Sequence, residues 1–178
     1  MNEQESLLAA IHENVLLQEY DPSWLEAFTL ERSRLLMLFP VKFADIQHIG
    51  STAVPGLVAK PIIDILAGVE SMAVAKALAE PLCRSGYITS AEFNKTLTDR
   101  QWFMRWANGH RTHHLHIVVH GSAPWNERLY FRDKLRAQPD LAVGYAALKF
   151  ELAAQHINDR EAYTHAKQAF IRSVSRDA

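Results

Sequence analysis

Apolar side chains recur with two different periods along this chain, and the change of period marks its organisation. Short apolar runs between residues 45 and 69, and again between 101 and 120, predict β-strands. From about residue 124 the apolar positions follow helical spacing, which predicts three successive helices. Earlier in the chain, Asp21 and Pro22 have the residue types that begin a helix. The order of elements predicts one α+β domain over residues 1–178, with a mixed β-sheet covered by helices and a helical C-terminal segment.

The predicted strand "PIIDILAGV" is apolar at nearly every position except Asp64. Continuous apolar character indicates a strand that is buried on both faces of the sheet. Strand alternation places Asp64 on one face with Ile62 and Leu66, and Ile63 and Ile65 on the other. A buried carboxylate is costly unless it is paired, hydrogen-bonded or bound to a metal. Asp64 is therefore either an ion-pair residue or part of a ligand or metal site.

A second signal lies around Asn108-Gly109, which separates two runs of apolar and aromatic residues. This dipeptide is typical of a two-residue β-hairpin turn. On the second strand of the hairpin, His114 and His116 are two residues apart and therefore point to the same face. Two imidazoles in this arrangement are a workable metal pair, and they are equally compatible with partly exposed histidines on a polar face.

Gly50-Ser51 follows the preceding predicted strand, "ADIQHI". Glycine allows a ligand to approach the backbone closely, and a backbone N–H with a serine hydroxyl can hold a phosphate. The same dipeptide also occurs in ordinary turns, so both interpretations stay open.

Composition and charge narrow the class of protein. Hydrophobic residues make up 48% and charged residues 22% of the 178 residues, as in ordinary soluble domains. A net charge of -1 provides no basic field, so we expect no nucleic-acid partner. The single cysteine, Cys83, suits a reducing compartment. The acidic N-terminus does not resemble a signal peptide and no apolar run approaches a membrane span, so we expect a cytoplasmic protein that does not bind membranes.

The stretch "HIGSTAVPGLVAKPIIDI", with "THHLHIVVHGS" and "FRDKLRAQPDLAVGYAALKFELA" further along, strongly resembles the GrpB family. The resemblance extends from about residue 15 to residue 173. It implies a nucleotidyltransferase-like fold, because that family is assigned to the superfamily of DNA polymerase beta. Gly50 and Ser51 match the superfamily's phosphate-holding Gly-Ser, and Asp64 matches its first metal-binding acid. Domains of this kind that are fused behind dephospho-coenzyme A kinase further suggest a nucleotide or coenzyme A-related ligand.

The chain departs from the superfamily pattern at the other acids. Leu66 stands at the position of the second acid, and the later strand supplies His114 and His116 instead of a carboxylate. One interpretation is a metal-dependent, nucleotidyltransferase-like enzyme that acts on a nucleotide or another phosphate-containing small molecule. The metal would be Mg²⁺ or Mn²⁺, or Zn²⁺ if the histidines ligate. The alternative is a catalytically degenerate accessory or sensor module that binds a nucleotide or coenzyme A.

Other residues receive roles that follow from these interpretations. Lys60 and Arg132 are expected to supply positive charge to the phosphates, and His48 to act as a metal ligand or general base. His48, Ser51, Lys60, Asp64 and His116 are expected to line one cleft. Lys149, Tyr163 and Lys167 fall in the C-terminal segments that also resemble the family. For Lys149 and Lys167, ordinary surface positions on amphipathic helices are favoured.

Overall fold

The computed structural model describes residues 3–12 and 15–176. Its elements, in chain order, are α1 (Glu3–His12), α2 (Ser23–Leu38), β1 (Asp45–Ile49), β2 (Ile63–Val69), α3 (Met72–Ala77), α4 (Ala79–Arg84), α5 (Ala91–Thr96), β3 (Gln101–Ala107), β4 (His110–Val119), α6 (Ala123–Ala137), α7 (Pro139–Gln155) and α8 (Arg160–Arg176). Across these described ranges, every helix is too short or too polar to traverse a lipid bilayer. The predicted α+β class, with a mixed sheet and C-terminal helices, is confirmed.

The four strands form one sheet in the order β1-β2-β4-β3. The outer pairs β1/β2 and β3/β4 are antiparallel, and the central pair β2/β4 is parallel. The apolar strand β2 therefore has a neighbour on each side, which agrees with the continuous apolar run in its sequence. Asp64 lies on this central strand, and Gly50-Ser51 directly follows its neighbour β1, as predicted.

The β3–β4 hairpin turns at the predicted dipeptide. Asn108 and Gly109 both have positive φ, at 52° and 77°. Two successive residues with positive φ make a type I′ turn, whose twist matches that of the flanking strands. In the β2/β4 register Asp64 pairs with His114, so His114 and His116 face the same side of the sheet as Asp64.

The two faces of the sheet are covered differently. One face carries the main hydrophobic core, to which α2, α3 and α4 contribute residues such as Phe28, Leu35 and Leu82. On the other face a smaller cluster contains Leu66 together with Ile49, Val118 and Trp125. The carboxylate and the histidines lie on this second face, which leads toward the C-terminal helices.

Proline shapes the helices on the core side. The helical segment that follows β2 is divided into α3 and α4, and α3 ends at Ala77. A proline ring collides with the carbonyl four residues earlier in a continuous helix, and for Pro81 that residue is Ala77. Pro81 instead lies in the first turn of α4, where its missing N–H is tolerated.

Candidate functional site

Asp64, His114 and His116 form a cluster across the two central strands. The parallel register pairs Asp64 with His114, and His116 follows two residues later on the same face of β4. The Asp64 Oδ1 lies 3.1 Å from His114 Nδ1 and 3.9 Å from His116 Nε2. One ligand atom from each of the three side chains lies within 4.8 Å of the others. The strand pairing thus brings one oxygen and two nitrogen ligands together.

The electrostatics of the cluster favour an ionised Asp64 and a neutral His116. Burial works to raise the pKa of Asp64, but hydrogen bonding and charge from His114 and His116 outweigh it and hold this pKa well below its usual value. Burial lowers the pKa of His116 to about 4. Because an ionised carboxylate only accepts hydrogen bonds, His114 Nδ1–H donates to Asp64. The opposite nitrogen of His114 lies 3.4 Å from Arg111 Nη1 and accepts from it.

Gly50 lies directly against the Asp64 carboxylate. A Cβ atom at Gly50 would lie 2.5 Å from Asp64 Oδ2, which is too close for any side chain. Gly50 also has φ 72° and ψ -172°, a conformation that is essentially restricted to glycine. The Gly-Ser turn and the buried carboxylate are therefore one structural unit.

A cleft of about 1780 Å³ opens on this face of the sheet and extends to α6, α7 and α8. Its walls include six of the eight predicted site residues, namely Gly50, Ser51, Lys60, Asp64, His114 and His116. The strands β3 and β4 also contribute Trp102 and Arg111 to the walls of the cleft, and neither residue is among the predicted site residues. The expected common cleft is therefore present for most of the predicted residues.

His48 is not among the residues that line this cleft, which corrects the expectation that it shares a cleft with Asp64. Strand alternation places His48 with the main core, where its ring stacks on Phe28 with a centroid distance of 4.7 Å. The Thr52 hydroxyl donates to a backbone carbonyl and accepts from His48 Nε2 at 3.0 Å. Burial lowers the pKa of His48 to about 4. Ile46, two residues earlier, was the available sequence signal, because it is apolar and shares the face of His48.

Arg132 is also absent from the walls of the cleft, which corrects its expected contact with phosphates. Its Nη1 donates to the Gln47 side chain at 2.9 Å and to the His48 carbonyl at 3.0 Å. Its Nε donates to Asp133 at 2.8 Å. The guanidinium therefore ties α6 to β1.

Lys149 and Lys167 line the cleft, whereas the sequence analysis favoured ordinary surface positions for them. The Lys149 side chain is only 1% exposed, and its Nζ donates to the Val58 carbonyl. Burial, with the charge of Lys167, lowers the pKa of Lys149 to about 7. Tyr145 and Tyr163 accompany the two lysines and are 2% and 1% exposed. A faint sequence signal was the lysine within the otherwise apolar stretch "YAALKF".

The fold and the site together define the class of this protein. It is an α+β protein with a four-stranded mixed sheet, whose cleft combines a central aspartate–histidine cluster with lysines from the C-terminal helices.

The chain belongs to the GrpB family, because the family model described as GrpB protein matches residues 14–177. The glutamate-rich protein GrpB of Alkalihalophilus pseudofirmus is 38% identical over 168 residues, which cover 90% of this chain and 93% of that protein. YqkA of Bacillus subtilis is 37% identical over 89% of this chain, which spans only 46% of YqkA. The crystal structure of the conserved protein GrpB from Enterococcus faecalis matches with a TM-score of 0.81 and 35% identity, and the match covers 91% of this chain and 96% of that one.

A more distant similarity concerns a protein with a stated activity. Dephospho-CoA kinase of Mycolicibacterium paratuberculosis is 31% identical over 180 residues, which cover 89% of this chain but 44% of that protein.

The donor set of the cluster fits one transition-metal ion better than two Mg²⁺ ions. Mg²⁺ prefers oxygen ligands, and the cluster provides a single carboxylate with two imidazoles. Two histidines and a carboxylate are a common ligand set for Zn²⁺ and for related divalent transition metals. The buried Nδ1 of His116 has no hydrogen-bond partner among the described residues, although ligating histidines usually donate from their second nitrogen. A water or ligand group that accepts from this nitrogen would complete the site.

Proposed function

We propose that this protein is a metal-dependent, nucleotidyltransferase-like enzyme that acts on a nucleotide or another phosphate-containing small molecule. The observation that carries the proposal is the convergence of Asp64, His114 and His116 inside a large cleft. A bound divalent cation would supply positive charge to a phosphoryl oxygen. Zn²⁺ or Mn²⁺ is the cation class that suits this set of ligands.

The position of the Gly-Ser turn supports a phosphate ligand. Gly50 and Ser51 line the same cleft as Asp64, and the absence of a Cβ at Gly50 allows the Asp64 carboxylate to lie directly against the turn. Lys60 lines the same region and contributes positive charge. In nucleotidyl transfer, an acceptor oxygen forms a bond to the α-phosphorus of a nucleoside triphosphate. The bond between that phosphorus and the bridging oxygen breaks, and pyrophosphate leaves. The cluster lies beside the turn, where that phosphorus would be held.

The second candidate function is a nucleotide- or coenzyme A-binding module without turnover. Leu66 favours it, because this side chain is fully buried against Ile49, Val118 and Trp125. The strand position that carries a second acid in the superfamily therefore faces apolar packing here. The similarity to dephospho-CoA kinase supports the same class of ligand for either candidate.

Metal binding is tested by calorimetric titration of the metal-free protein with Zn²⁺ and Mn²⁺. We expect one equivalent to bind, and Asp64→Asn and His116→Gln to weaken this binding strongly, because each removes a ligand. His120→Gln is the matched control, since His120 lies one residue beyond β4 and packs on Trp125. Equal affinities in all four proteins would contradict a metal site at the cluster.

Turnover is tested by incubating the protein, loaded with Zn²⁺ or Mn²⁺, with nucleoside triphosphates and candidate acceptor molecules. The measurement is the release of pyrophosphate. Release that depends on the added metal and is lost in Asp64→Asn supports the enzyme. Tight nucleotide binding without any release supports the binding module instead.

A further inference from the structure

The C-terminal helices place two lysines beside the Gly-Ser turn, and each lies over an aromatic ring. Lys149 Nζ lies 5.0 Å from the centre of the Tyr145 ring, and the Tyr145 side chain is hydrogen-bonded with Ser51. Lys167 Nζ lies 4.8 Å from the centre of the Tyr163 ring. Lys60, from the loop before β2, lies 4.5 Å from the centre of that same ring. Three ammonium groups thus surround two buried tyrosines at one end of the cleft.

Lys149 and Lys167, the two lysines from the C-terminal helices, stand apart from the ion pairs that the described part of the chain forms. Within the described residues, no carboxylate makes a salt bridge with Lys149 or Lys167. Burial lowers the pKa of both lysines, and the negative charge of Asp64 only partly opposes this effect. Asp159 and Glu161 at the start of α8 also line the cleft, together with the cations Arg160 and Arg172. A lysine that is withdrawn from water and makes no salt bridge is stabilised in its charged form when an anion binds beside it.

We infer that Lys60, Lys149 and Lys167 form a subsite for a diphosphate group, so that the ligand of this cleft carries at least two linked phosphates. This inference rests on the phosphate-containing ligand of the proposed function and specifies its class. A bound anion favours the charged form of each lysine, including Lys149, and three ammonium groups match the charge of a diphosphate ester better than that of a monophosphate ester. The tyrosine rings hold the lysine side chains in place, because an ammonium group is attracted to an aromatic face. Ser51 then contacts the phosphate that is nearer to Asp64.

The test compares inorganic phosphate with pyrophosphate as calorimetric ligands, with EDTA present so that no metal contributes. We expect pyrophosphate to bind the wild-type protein at least about tenfold more tightly than phosphate, since each additional charged hydrogen bond has roughly this effect. Lys167→Met should remove most of this preference while changing phosphate affinity less. Lys149→Met should act in the same direction, and thermal denaturation without ligand identifies any loss of folding.

Lys134→Met is the matched control. Lys134 lies over the Tyr130 ring at 5.4 Å on α6, and neither residue lines the cleft. Its variant should keep the wild-type preference for pyrophosphate. The inference is overturned if wild type binds both anions equally or binds neither. It is also overturned if Lys167→Met leaves the preference intact.

The outcomes for the subsite and for the proposed function can be distinguished. A lysine-dependent preference for pyrophosphate in EDTA, in a protein that binds no Zn²⁺ or Mn²⁺ and shows no turnover, supports the subsite and contradicts the enzyme. Metal-dependent turnover without that preference contradicts the subsite alone.

Discussion

Replacing Gly50 with alanine would place a methyl group where the Asp64 carboxylate now lies. The new Cβ would be 2.5 Å from Asp64 Oδ2 and 3.1 Å from its Cβ. The carboxylate would have to rotate away from the turn, since the backbone of β2 is fixed by a strand on each side. The substitution therefore tests whether the turn and the proposed metal site at Asp64, His114 and His116 depend on each other.

Two contributions set the expected magnitude. Backbone strain at φ 72° and ψ -172° costs a side-chain-bearing residue about 1 to 3 kcal/mol. Displacement of Asp64 also weakens its hydrogen bond with His114, and such charged bonds contribute about 1.5 to 3 kcal/mol. We expect Gly50→Ala to lower the free energy of unfolding by about 2 to 5 kcal/mol. Zinc affinity should fall by about 10- to 100-fold, the range for disturbed support of a metal ligand.

The assay is urea denaturation together with zinc titration, and Gly56→Ala is the control. Gly56 also has positive φ, at 80°, but a Cβ there would meet no atom within 4 Å. Gly56→Ala should lose about 1 to 2 kcal/mol from backbone strain and keep the wild-type zinc affinity. Equal destabilisation in the two variants, with unchanged zinc affinity in Gly50→Ala, would refute the coupling of the turn to Asp64.

Three further predictions concern residues around the site. Burial lowers the pKa of His48 to about 4 in the folded protein. Between about pH 6.5 and 4 the unfolded chain therefore binds a proton at His48 that the folded protein does not bind, so the free energy of unfolding falls as the pH drops through this range. His48→Phe should remove about 2 kcal/mol of the loss between about pH 7 and 5 in urea denaturation, and an unchanged slope would contradict this. Arg132→Met should lower the free energy of unfolding by about 2 to 4 kcal/mol, because it breaks buried charged hydrogen bonds. The phosphate affinity measured by calorimetry should not change. A loss of phosphate affinity in a folded variant would show that Arg132 contacts the phosphate after all. Leu66→Asp should lower the melting temperature sharply without increasing metal affinity, because it buries a carboxylate in apolar packing. Tighter metal binding by a folded variant would show that this position can serve as the second acid.

Local sequence patterns were sufficient for the sheet and for the centre of the site. The alternation in β2 predicts the face of Asp64, and the i, i+2 spacing in β4 predicts that His114 and His116 point together. Asn108-Gly109 predicts the turn that connects β3 and β4. These features depend on backbone geometry over a few residues, so they can be read from neighbouring positions. The family resemblance then suggested that β2 and the later strand meet at one site.

The tertiary structure decided the roles of residues whose partners are distant in sequence. Helical periodicity predicts a polar face for α7 and α8, but which polar residues become buried depends on how those helices pack. Lys149 reaches the carbonyl of Val58, and Arg132 reaches that of His48, across separations of 91 and 84 residues. A charged side chain reads the same in sequence whether it is solvated, ties two elements together or lines a cleft. Only the packing of the C-terminal helices against the Gly-Ser turn distinguishes Lys149 and Lys167, which line the cleft, from Arg132, which holds β1 to α6.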